Sequence, residues 1–109
     1  MAEIWRTRDR RMCEVTLTSA RRAHILDEHA ELASQLDEIR TAIKHPDLVT
    51  RDARYARREN HYRRAPFGLG WIKVVVNYRP VSPQGAWMGE VITAYPIDRP
   101  EPKEAPLWP

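Results

Sequence analysis

Polar and apolar residues alternate over Glu14-Val15-Thr16-Leu17, the period of a half-buried strand. The period then lengthens. Ala20, Ala23 and Leu26 form one stripe at helical spacing, and Thr18 or Ser19 before them can accept hydrogen bonds from the unpaired amides of a helix start. This first helix is expected to run to about His29. A second follows, because Leu32, Leu36, Ile39 and Ile43 recur at the spacing of a single apolar face. It ends near His45, since Pro46 disfavours helical geometry in the residue before it.

Downstream the pattern is that of a sheet. Asp47–Thr50 and Asn60–Arg63 are candidate short strands, while Trp71–Tyr78, with its Val74-Val75-Val76 run, is the best strand signal in the chain. Gly68, Gly70 and Pro80 punctuate it, and Arg79–Gly85 reads as the loop to a further strand over Trp87–Tyr95. Helices first and strands afterwards predict an α+β domain, two N-terminal helices packed on a small antiparallel sheet. Residues 1–13 are expected to be an arm that can add a short strand, 14–97 a single domain, and 98–109 a proline-rich, extended C-terminal tail; the stretch from Pro96 onward holds five of the nine prolines.

Composition narrows the class. With 42% hydrophobic and 30% charged residues, the chain fits a globular domain and excludes collagen-like or fully disordered proteins. No apolar run approaches the roughly 20 residues of a membrane span, and the first residues lack the apolar core of a secretory signal, so no membrane is involved and a cytoplasmic location is expected. Cys13 is the only cysteine, which rules out an intrachain disulfide.

The net charge is +3, but its distribution matters more: residues 51–64 hold Arg51, Arg54, Arg57, Arg58, Arg63 and Arg64 against Asp52 and Glu59, with His61 and Tyr62 interleaved. Such a patch attracts phosphate backbones; the plainer alternative is a solvated loop whose arginines pair with acidic helices.

The candidate chemistry is that of RNA cleavage by internal transfer. That reaction needs a base for the 2′-hydroxyl proton, an acid for the leaving oxygen and donors for the charge that develops on phosphorus. His24, at the edge of the first helix's apolar stripe, can serve as base or acid. Lys73 can act as an electrostatic clamp, and Thr93 and Tyr95 as hydrogen-bond donors. Strand alternation puts Trp71, Lys73, Val75 and Asn77 on one face, and Gly89, Val91, Thr93 and Tyr95 on one face of the next strand. The plain structural roles are a packed or capping His24 and an edge lysine that discourages aggregation. His29 follows His24 by five residues, about 140° around an ideal helix, which is not the shared face of a zinc-binding pair. No metal or cofactor is required. Hydrolase-triad motifs are absent, and Gly68-Leu69-Gly70 is too short for a phosphate-cradling loop.

Leu17-Thr18, Ala23-His24-Ile25, His29, Pro46-Asp47, the Tyr62 region, Ile72–Val76 and Val91-Ile92-Thr93-Ala94-Tyr95-Pro96 together resemble the phage-type nucleases of the barnase, EndoU, colicin and RelE superfamily. The resemblance covers about residues 14–97. It implies a small metal-independent ribonuclease, a toxin or an effector of a phage or mobile element, with helices on a four- or five-stranded antiparallel sheet. It also implies that His24, Lys73, Thr93 and Tyr95 line the active groove, with His29, Tyr62 and the six arginines of 51–64 contacting RNA, tRNA among the substrates, and with an inhibitor or antitoxin protein as a partner. The alternatives are a non-catalytic RNA-binding module and a protein-interaction domain that displays its proline-rich tail.

Overall fold

The computed structural model describes residues 2–65 and 70–109. Seven strands form one sheet: β1 (Glu3–Arg8), β2 (Glu14–Thr18), β3 (Leu48–Arg51), β4 (Arg58–Arg64), β5 (Trp71–Pro80), β6 (Trp87–Ile97) and β7 (Ala105–Trp108). They lie side by side in the order β1-β2-β6-β5-β4-β3-β7. Every neighbouring pair is antiparallel except β2 with β6, which run parallel. Between β2 and β3 come α1 (Ser19–Glu28), a short 3₁₀ helix (Ala30–Ser34) and α2 (Leu36–Lys44).

This corrects the expected architecture. The fold is not two N-terminal helices on a small antiparallel sheet: two strands precede the helices, the helices are short and lie mid-chain, and the sheet is larger and mixed. The physical reason lies at the two ends. The charged arm pairs as β1 along β2, and residues 98–109, expected as an extended tail, add β7 to the edge of β3. Both are edge strands, which need little apolar patterning of their own.

The helical expectations fare well locally. Thr18 is the cap of α1, its hydroxyl accepting from the Arg21 amide at 3.3 Å. The stripe Leu32, Ile39 and Ile43 is buried, although a break at Gln35 divides it between the 3₁₀ helix and α2. These side chains cover one face of the sheet, meeting Val15 and Leu17 of β2, Ile72, Val74, Val76 and Tyr78 of β5, and Val91 and Ala94 of β6.

One register detail decides which residues face the other way. Val75 stands opposite Thr93, but Val76 stands opposite Val91, so β6 carries a bulge at Ile92. A bulge inserts one residue and reverses the alternation beyond it. Val91 and Gly89 therefore join the helix-covered face instead of sharing a face with Thr93 and Tyr95, as strict alternation predicts, and Val91 is fully buried. At Gly89 a Cβ would sit 2.6 Å from Val76 Cγ1 and 3.0 Å from the Tyr78 ring, so any larger residue forces these neighbours to shift. Of the glycines expected to open β5, Gly70 has φ +76°, a left-handed conformation that glycine adopts at little cost; Gly68 and Leu69, the rest of the Gly68-Leu69-Gly70 stretch, lie outside the described residues.

Candidate anion-binding site

On the face away from the helices, β5 is an interior strand with β4 on one side and β6 on the other. Lys73 is therefore not an edge lysine. It stands opposite Tyr62 of β4 and Tyr95 of β6, and its ammonium lies 5.5 Å from the centre of the Tyr62 ring and 5.6 Å from that of Tyr95, the geometry of cation–π attraction. Lys73 is only 5% exposed, and an ammonium on so buried a residue needs a counter-charge. It has one in Glu104, whose Oε2 accepts from Lys73 Nζ at 2.7 Å.

The Glu104 carboxylate is the centre of the cluster. Its Oε1 accepts from Tyr62 Oη and from Thr50 Oγ1 of β3, both at 2.6 Å. Asn60 Nδ2 donates in turn to Thr50 Oγ1 at 3.3 Å, and the Glu101 amide donates to Tyr62 Oη at 3.3 Å. Three donors from three adjacent strands thus converge on one anion. Such charge-assisted bonds are short and strong.

The electrostatics keep the donors protonated. Burial opposes the Lys73 charge, but the Glu104 hydrogen bond and the phenols of Tyr62 and Tyr95 outweigh it, and the net pKa is raised. Burial, reinforced by the Glu104 bond, pushes the Tyr62 phenol up to about 12. Both groups are therefore donors at neutral pH.

The surroundings of the cluster are aromatic and basic. Trp71 meets the edge of Tyr62 at 6.5 Å between ring centres, and the Arg64 guanidinium lies 4.6 Å from the Trp71 ring. His29, just past the end of α1, stacks on Tyr95 at 5.7 Å with its ring inclined by 28°. Thr93 lies two residues before Tyr95 on the same face, opposite Val75.

The residues singled out in the sequence thus separate into groups. Lys73, Tyr95, Tyr62 and His29 are linked contact by contact, and Thr93 shares their face. His24 has a different recorded partner: its side chain is 43% exposed on α1 and its Nε2 lies 3.9 Å from Glu28. Among the described residues no hydrogen bond or ion pair joins His24 to Lys73, Thr93 or Tyr95. The six arginines also divide. Arg58 and Arg64 stand on the strand positions that share Lys73's face, whereas Arg51 and Arg63 stand on the opposite one. Arg63 donates to the His45 carbonyl, and Arg51 donates to the Ala56 carbonyl at 3.4 Å. Arg54 and Arg57 are exposed on the β3–β4 hairpin, the latter 5.9 Å from the Trp87 ring.

Sequence reasoning missed Thr50, Asn60 and Glu104. Glu104 lies among prolines in a stretch with no strand pattern, and its one signal was indirect: a lysine inside a valine run must find an anion somewhere. No helix among the described residues is long and apolar enough to cross a membrane. No family model, no curated protein and no solved structure matches this chain.

Proposed function

We propose that this protein is a metal-independent endoribonuclease that holds an RNA phosphate at Lys73. The observation that carries the reading is the convergence of Lys73 Nζ, Tyr62 Oη and Thr50 Oγ1 on a single carboxylate. A set of donors that binds a carboxylate also suits the non-bridging oxygens of a phosphodiester. Arg64 and Arg58 on the same face supply further positive charge for the chain of phosphates. The ring of Trp71 offers a surface on which an unpaired base can stack.

His29 takes the part first considered for His24, because it is the imidazole in contact with this cluster. It accepts the proton of the 2′-hydroxyl as the 2′-oxygen bonds to phosphorus. The bond to the 5′-oxygen breaks, and that oxygen takes its proton from Tyr95, whose transient phenolate is stabilised by Lys73 and is reprotonated from the His29 imidazolium. The products are a 2′,3′-cyclic phosphate and a 5′-hydroxyl, and the protonation states are restored. Thr93 contributes a hydrogen bond to the bound nucleotide. A cytoplasmic location and a role as a toxin or mobile-element effector, restrained by an inhibitor protein, belong to the same proposal.

Incubation of the full chain with mixed-sequence RNA and tRNA in excess EDTA tests it. Wild type and His24→Ala should cleave and leave cyclic phosphate ends, while His29→Ala should lose about 10²-fold or more, the scale of a proton-transfer group. Equal activity of wild type and His29→Ala overturns the assignment. One observation favours RNA binding without cleavage: the cluster contains a single imidazole. Binding that falls with salt, with all RNA left intact, selects that reading.

A further inference from the structure

The group now held by the anion site belongs to the chain itself, and it is held by a segment with little else to fix it. Glu104 is nearly enclosed, its side chain 6% exposed. Every other residue of 98–109 is half-buried or exposed, and none joins the buried core. The four residues of β7 attach to the sheet's outer edge through β3 alone. Opposite Thr50 that strand presents Pro106, which has no amide hydrogen to donate. Between the end of β6 and Glu104, the one side-chain or turn hydrogen bond to the sheet among the described residues runs from the Glu101 amide to Tyr62 Oη at 3.3 Å. Among the described residues, the segment is thus a strap whose docking rests on one carboxylate, a short edge pairing and the Arg10 guanidinium 5.8 Å from the Trp108 ring.

We propose that residues 98–108 are an intramolecular competitor of the substrate: Glu104 occupies the oxyanion position at Lys73, Tyr62 and Thr50, and a backbone phosphate of single-stranded RNA displaces it, releasing the strap from the face it covers. The inference rests on the ribonuclease reading of the same site. Its physical basis is exchange of one anion for another on the same three donors. The phosphate gains what the carboxylate loses, so RNA pays for opening the strap and apparent affinity is reduced by the fraction of molecules that are closed. A Glu104 that stays paired with Lys73 also leaves RNA no free ammonium to bind, which makes the closed form inactive.

Full-length wild type, Glu104→Gln and Glu104→Ala are compared for binding a 2′-O-methyl oligonucleotide, which cannot be cleaved, and for cleavage of the matching RNA. Glutamine keeps an acceptor for Tyr62 and Thr50 while removing the charge that competes for Lys73. Both variants should bind about tenfold more tightly, as expected if roughly nine-tenths of wild-type molecules are closed, and cleavage at subsaturating RNA should rise in parallel. In wild type the amides of Ala105, Leu107 and Trp108 should lose hydrogen-exchange protection when the oligonucleotide is added, a readout that requires no variant to fold. Unchanged or weaker binding by both variants, no binding by any of the three proteins, or retained protection of 105–108 in the complex overturns the inference. Tighter binding and strap release with no cleavage would sustain the strap and sink the ribonuclease reading. Cleavage that ignores Glu104 while the strap stays docked would do the reverse.

Discussion

The two faces of the sheet are closed by different physics. On one, α1, the 3₁₀ helix and α2 lay Ile25, Leu32, Ile39, Ala42 and Ile43 over the valines and isoleucine of β5, and the closure rests on apolar area removed from water. On the other, closure is a carboxylate held by three polar donors, with no buried apolar side chain in the strap that delivers it. Apolar closure has no good alternative in water. A carboxylate and an ammonium do, since each can be hydrated or can take another partner, so the polar face is the one that can open without unfolding the protein.

Substitutions should separate the faces by magnitude. Ile43→Ala, fully buried under the helices, should cost about 2–5 kcal/mol in denaturant titration, and it should unfold the protein as a unit instead of releasing the strap.

Acid should act on the helix-covered face through His61. Burial pushes its pKa down to about 4, with Asp9 opposing and Arg11 and Arg10 reinforcing the shift. Because the folded pKa lies below the unfolded one, stability is full above about pH 6.5, falls as the pH drops toward 4, and levels off below. The total is about 3 kcal/mol. His61→Gln should flatten stability between those limits; an unchanged slope would assign the acid sensitivity to other groups.

Gly89→Ala forces a methyl group against Val76 and Tyr78 and should cost about 1–3 kcal/mol by overpacking, read as a lowered Tm. The smallest effect should come from the polar face. Removing one partner of an enclosed ion pair commonly costs about 3–5 kcal/mol, yet Lys73→Met should cost only about 1 kcal/mol globally, because the strap can carry Glu104 out to water. A full-sized loss would mean that the strap is as fixed as the helices.

The same contrast explains what could be read from the residues. The apolar stripe at Leu32, Ile39 and Ile43 and the run Val74-Val75-Val76 have few alternatives to burial, and their elements were legible, as were the facing positions of Lys73 and Tyr95. The bulge at Ile92 was not, because a one-residue slip leaves no mark in composition. The parallel pairing of β2 with β6 joins segments some seventy residues apart, and strand patterns do not reveal their partners. β7 and Glu104 were hidden most completely. A proline-rich stretch looks unstructured, and its one buried contact is a charge whose counterpart lies thirty-one residues upstream.

The proposed RNA site at Lys73 is best tested by NMR titration of the full chain with a 2′-O-methyl oligonucleotide. The largest shifts should fall on Tyr62, Lys73, Thr93, Tyr95 and His29, together with the amides of Glu104, Ala105, Leu107 and Trp108. Shifts confined to the Arg54 and Arg57 hairpin, with Lys73 and Glu104 unmoved, would contradict an RNA site at Lys73.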